Sequence, residues 1–206
     1  QVRARHRPAR PKHNRVMADE AASFAYELME AASCLSPKPA AVLFRDGLML
    51  LLLTHLPLRR KNFTTLALGE SLVQRQNQWF VTLTPVQTKT HAHFEAALHP
   101  SLHAWLETYL ADHRPLLLSL SGHWNAKAGD RLWISSHGSP MTEIAIYDRV
   151  SRMTLAAFGV RISPHGFRDM AASTIASHAP GHIHSAAPLL GHATLRTTEK
   201  YYRQAR

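Results

Sequence analysis

One cysteine, Cys34, stands among 206 residues. A single thiol closes no disulfide within the chain, which sets aside the cross-linked secreted scaffolds and suits a reducing compartment. Acid is scarce as well: 14 Asp and Glu face 24 Lys and Arg, for a formal net charge of +10. No apolar run is long enough to span a bilayer. Leu48–Leu53 is the plainest candidate, but Arg45, Asp46 and His55 bracket it closely, so it is expected as a buried helix and no membrane partner is expected. The start of the sequence is charged and has no apolar core of the signal-peptide kind, so the cytoplasm is the expected location. There is no internal repeat, and no low-complexity segment beyond the first residues. A chain of this length buries one sizeable core.

What is present is unevenly placed. Residues 1–15 carry Arg3, Arg5, Arg7, Arg10, Lys12 and Arg15 and no acid. Removing those six charges from +10 leaves a remainder of +4, so residues 1–17 read as a polycationic arm or linker on a mildly basic body, residues 18–206. Such an arm suits a polyanion, because each phosphate contact releases condensed counterions. A solvated tail is the alternative reading.

Along the body, Asp19 is a fair N-cap for an Ala-rich helix reaching Ser33. Ser36, Pro37 and Pro39 open a second helix over about 40–55, apolar almost all round and therefore central. A short basic helix follows over 58–66. The period then changes. Gln78–Thr84 is rich in β-branched and aromatic residues, His91–Leu98 is its expected partner strand, and Pro85–Thr90 the turn, with Lys89 near the tip. Helical spacing returns over 98–113. Residues 119–130 form a polar loop, 131–135 a short apolar element and 137–140 a turn. Ser139 and Pro140 are expected to start a helix that Gly159 ends. Ser163 caps the next helix, with Pro164 at its first position. Pro180-Gly181 breaks it, and Thr194 caps a last helix. The expected class is mainly α with a small antiparallel sheet, α+β.

The chemistry concentrates in the last quarter. His165 and Arg168 lie three residues apart on the helix that Ser163 caps, a spacing that puts both on one face. Gly191-His192 and the run TTEKYY follow. Cleaving a phosphodiester without a metal builds charge on the non-bridging oxygens, and fixed cations aimed there stabilise the transition state more than the ground state. Arginine offers two parallel donors and keeps its charge. A tyrosine, with an ordinary pKa of about 10, needs help to attack, and the departing hydroxyl needs an acid. A phosphotyrosine conserves the bond energy, so rejoining needs no ATP. Taken singly, a His-x-x-Arg, a Tyr near the end or a Lys in a turn is an ordinary surface or packing feature. Their order is what carries weight.

PHGFRDMAAS, then LLGH, then TTEKYY resembles the catalytic motifs of the tyrosine recombinase (phage integrase) family. Upstream, THLPLRRKNFTTLAL looks like that family's first-arginine motif, with Arg59 followed by Phe63 and Leu66 at plus four and plus seven. Arg60 is the competing assignment, and Asn62 stands where many members have Glu. TKTHAHF is similar to the hairpin segment that carries the family's lysine. The resemblance implies that Arg59 and Arg168 clamp the scissile phosphate. His165 would act as base or donor, Lys89 would protonate the leaving 5′-hydroxyl, and His192 would hold a non-bridging oxygen. Tyr201 would be the nucleophile, with Tyr202 its rival by adjacency. It also implies double-stranded DNA as partner, contacts from the arm, Arg60 and Lys61, a homo-tetramer on DNA, a nucleoid location, and neither cofactor nor metal.

Three residues, His178, His182 and His184, would suggest zinc, but they lack a nearby Cys or carboxylate and read as structural or surface histidines. His91 and His93 alternate on the expected strand beside Lys89. Family members usually carry an N-terminal core-binding domain, and none is expected within these residues. Two other functions remain open at this point: a DNA-binding accessory protein that does not cleave, and relaxation of the type IB topoisomerase kind.

Overall fold

A computed structural model describes residues 16–121 and 129–178, with side chains as far as residue 174. Helix α1 (Ala18–Ala31) opens two residues earlier than expected, with Met17 and not Asp19 at the N-cap: the Glu20 carboxylate reaches back to accept from the Met17 amide at 2.7 Å and closes the first turn. Helix α2 (Pro37–His55) begins at its proline, where the missing N–H costs nothing. From Phe44 to Leu53 every residue of α2 is buried, as the all-round apolar pattern requires. The two helices lie close because α1 presents Ala21, Ala25 and Met29. A Cβ added to Gly47 of α2 would meet Met29 Cγ at 2.6 Å and the Ala25 carbonyl oxygen at 2.7 Å.

Within that apolar helix sit Arg45 and Asp46, 3 % and 0 % exposed. A charge at such depth is tolerated only when paired and fully hydrogen-bonded. Arg45 donates to Asp46 Oδ1 at 3.1 and 2.7 Å and to the Ile134 carbonyl at 2.6 Å. Arg149, on helix α6 (Glu143–Phe158), donates to Asp46 Oδ2 at 2.6 Å. This network ties α2 both to α6 and to the 131–135 segment. Nearby, Tyr109 is fully buried and donates to the Leu132 carbonyl at 3.0 Å. Burial pushes its phenol up to about 12, so it stays a neutral donor.

A short basic helix α3 (Arg60–Thr64) leads into a three-stranded antiparallel sheet of order β1-β2-β3. Its strands are β1 (Leu72–Arg75), β2 (Gln78–Leu83) and β3 (Phe94–Ala97). In β2, Trp79, Val81 and Leu83 face the core while Gln78, Phe80 and Thr82 alternate outward. The register pairs Val81 with Leu72 on one side and Ala96 on the other. Strand β1 goes beyond the sequence reading. Its hairpin turns on Gln76 and Asn77, both at positive φ (48° and 62°), the primed-turn conformation that matches strand twist. Strand β3 is shorter than expected. Thr88 Oγ1 donates to the Ala92 carbonyl at 2.7 Å and accepts from the Ala92 amide at 3.2 Å, and His91 sits at φ 51°. His91 and His93 therefore precede the strand instead of alternating along it.

The next helical stretch runs past 113. After the 3₁₀ turn Pro100–Leu102 come α4 (His103–Thr108), a π-helical turn (Tyr109–His113) and α5 (Arg114–Ser119). Pro115 cannot donate to the turn before it, and the wider turn accommodates that loss. The 139–141 segment is extended, not helical: Ser135 N donates to the Ser139 carbonyl at 2.7 Å, and Met141 N to that of Trp133 at 2.9 Å. Helix α6 accordingly starts later, capped by Thr142 Oγ1, which accepts from the Ala145 amide at 3.1 Å. Gly159, at φ 65°, ends it as expected. One core runs from Ala21 to Met170.

Two substitutions test this packing. Asp46→Ala strands Arg45 in the core and is expected to cost about 3–5 kcal/mol, seen as a lower denaturant midpoint; an unchanged midpoint would show the pair to be dispensable. Gly47→Ala should lower the melting temperature, since overpacking costs about 1–3 kcal/mol against a helix-propensity gain of about 1. A rise in melting temperature would mean that α1 moves aside freely.

Candidate active site

Helix α7 (Pro164–His178) carries His165 and Arg168. Its start is held twice. Ser163 Oγ accepts from the Gly166 amide at 3.3 Å, the expected cap. Thr154 of α6, fully buried, accepts from the Ile162 amide at 2.9 Å and donates to the Ile162 carbonyl at 3.2 Å. The α6–α7 connection is thus hydrogen-bonded to the last turns of α6. Phe167, 1 % exposed, anchors α7 in the core.

His165 lies in the first turn of α7 and is exposed, whereas Arg168 is 6 % exposed. Arg168 Nη1 donates to the Pro57 carbonyl at 2.7 Å. Pro57 is two residues before Arg59, so the fold brings the segments of the two expected phosphate-binding arginines side by side. Arg59 is half-buried and forms the N-cap of α3, its carbonyl accepting from the Phe63 amide at 2.9 Å.

Two more tethers hold this short segment. Trp133 Nε1 donates to the Phe63 carbonyl at 2.8 Å, and the two rings stack with centroids 4.9 Å apart. Arg60 Nε donates to Glu143 Oε2 at 2.9 Å, and its guanidinium carbon lies 5.9 Å from the centre of the Tyr147 ring. Arg59 and Arg60, rivals in sequence, thus have different surroundings: Arg60 turns toward α6, while Arg59 sits at the junction with Arg168's partner. Lys61 is exposed. Helix α3 has only five residues and holds its place through these contacts, since so short a helix is marginal by itself.

Lys89 is exposed in the turn between β2 and β3. Thr88, 7 % exposed, organises that loop through its bonds to Ala92 and a further one to the Pro85 carbonyl at 3.2 Å. Sequence reading passed over Thr88, Trp133 and Glu143. A Thr on either side of a Lys was the only local hint of the first, and the other two act on residues distant in the chain. His192, Tyr201, Tyr202, the arm cations Arg3, Arg5, Arg7, Arg10, Lys12 and Arg15, and the histidines at 182 and 184 lie outside the described residues. Among the described residues no group of three His, Cys, Asp or Glu side chains is gathered as a metal site.

Comparison with known proteins follows the same lines. Residues 23–206 match the phage integrase family. The chain belongs to that family. The tyrosine recombinase XerD of Pseudomonas aeruginosa is 34 % identical over 103 residues, which is 50 % of this chain and 32 % of XerD. A crystal structure of the XerH site-specific recombinase bound to palindromic difH substrate, in a post-cleavage complex, superposes with a TM-score of 0.63 at 18 % identity. That match covers 89 % of this chain and 49 % of XerH. The XerA recombinase superposes with a TM-score of 0.61 at 22 % identity, covering 95 % of this chain and 61 % of XerA. These likenesses establish the fold, mainly helical with one small sheet. The matches span about a third of the length of XerD and about half that of XerH.

Replacing Arg168 with Leu removes the donor to the Pro57 carbonyl. Melting should show a loss of about 1–3 kcal/mol, and trypsin should cut the native protein faster at Arg59, Arg60 or Lys61. Unchanged melting and proteolysis would mean that the 57–61 segment does not depend on Arg168.

Proposed function

We propose that this chain is a site-specific DNA recombinase or integrase that cleaves and rejoins strands through a 3′-phosphotyrosyl intermediate. The observation that carries this reading is the bond from Arg168 to Pro57, which fixes one arginine beside the segment that presents the other. Two guanidinium groups converging on one phosphate would neutralise its non-bridging oxygens as charge builds there. Because Arg168 is held against Pro57 before DNA arrives, little reorganisation of it is needed at the moment of reaction.

Tyr201 Oη attacks phosphorus, forming a Tyr–O–P bond while the P–O5′ bond breaks. Lys89 gives its proton to the departing 5′-oxygen, and His165 takes the tyrosine proton or donates to the phosphate. His192 holds a non-bridging oxygen. The phosphotyrosine keeps the energy of the broken bond, so attack by a 5′-hydroxyl of a partner strand rejoins DNA without ATP. Arg60, Lys61 and the cations of residues 1–15 bind the flanking backbone of duplex DNA, and four copies assemble on paired sites. The site of action is the nucleoid, in the cytoplasm.

A duplex nicked near the scissile phosphate releases a short piece after cleavage and traps the covalent complex. The expected result is an SDS-resistant adduct that Tyr201→Phe abolishes and Tyr202→Phe leaves intact, formed equally in EDTA. Loss with Tyr202→Phe alone would move the nucleophile by one residue. Loss in EDTA would put a metal in the reaction. No adduct on any DNA that the chain binds would favour an accessory role, and relaxation of plasmids without a recombination site would favour a topoisomerase.

A further inference from the structure

Arg60 and Glu143 are 83 residues apart in the chain, yet their side chains pair at 2.9 Å beside the Arg59 segment. The two side chains keep 48 % and 39 % of their exposure. A guanidinium donates to carboxylate and phosphate oxygens in the same forked geometry. An exposed pair of this kind is weak, so a phosphate arriving at Arg60 displaces the carboxylate at small cost. Tyr147 keeps the guanidinium near α6 by a cation–π contact that does not consume its donors.

We propose that Glu143 restrains DNA binding: its carboxylate occupies Arg60 in place of a DNA phosphate and so weakens the hold on duplex DNA. This rests on the reading of the chain as a DNA recombinase. Glu143 acts through Arg60 and touches no reacting atom, so it is a positioning residue. Any duplex whose phosphate takes Arg60 must first break this pair, so the contact lowers affinity for DNA by the cost of the pair. Since the same pair joins α3 to α6, its exchange also frees the residue next to Arg59 when DNA seats.

The test uses the full chain and a short fluorescent duplex of arbitrary sequence, with affinity followed across a salt series. Glu143→Gln should bind about two- to fivefold tighter at low salt, with a salt slope steeper by about one. Its melting temperature should stay within a degree or two of the parent, since an exposed pair adds little to stability. Arg60→Gln should bind more weakly, and adding Glu143→Gln to it should change nothing further. Equal tightening in the Arg60→Gln background would overturn the proposal, because Glu143 would then act only as a distant negative charge. Unchanged affinity of Glu143→Gln, with the parent binding DNA normally, would also overturn it while leaving the recombinase reading intact. If the parent and every variant bind no DNA, both fall together.

Discussion

A carboxylate buried to 0 % exposure between two arginines is the constraint on which the positions of the other elements depend. Asp46 occupies the interior of the most apolar helix in the chain, where an unpaired charge would cost several kcal/mol. Its two oxygens are satisfied by Arg45 from its own helix and Arg149 from α6, and Arg45 reaches on to the Ile134 carbonyl. A hydrogen-bonded charge network fixes distance and direction together, which an apolar contact between helices does not. The orientation of α6 and of the 131–135 segment on α2 is thereby specified.

The candidate site is built outward from that frame. Trp133 and Glu143 belong to the two parts that Asp46 and Arg45 locate, and both reach the 60–63 segment. Arg168 reaches Pro57 from α7, whose start Thr154 fastens to α6. Residues 57–63 are therefore held from three sides by groups that all trace back to one buried network. For chemistry that stabilises a transition state by fixed charge, this is the useful property, since the cations need not be rearranged for each turnover. The β2–β3 loop is a separate device. It carries the exposed Lys89 on a turn closed by Thr88.

Membership of the phage integrase family and the fold shared with XerH and XerA agree with this construction. Where this sequence departs from the family pattern, the structure offers a context. Asn62, in place of the usual Glu, is 6 % exposed in the first turns of α3. Nearby the acid is Glu143, which comes from α6 and engages Arg60 instead.

Much of the architecture was legible in the residues alone, because it rests on neighbours in the chain. The all-round apolar run of α2, the stop at Gly159, the Ser163 cap and the β2–β3 hairpin are local signals, decided within a few positions. The order of His165, Arg168, His192 and Tyr201 was likewise enough to indicate the family. Errors fell where a distant partner overrode a local preference. Ser139-Pro140 reads as a helix start, yet those residues are drawn into extended pairing with 133–135. Strand β1 shows only once its primed turn at Gln76-Asn77 is seen. The site itself was decided by tertiary structure. Arg168 and Pro57 are 111 residues apart, Arg60 and Glu143 83, and Trp133 and Phe63 70. Sequence names the side chains able to hold a phosphate. Which arginine turns toward Glu143, and which stays beside the partner of Arg168, follows from packing that no local pattern encodes.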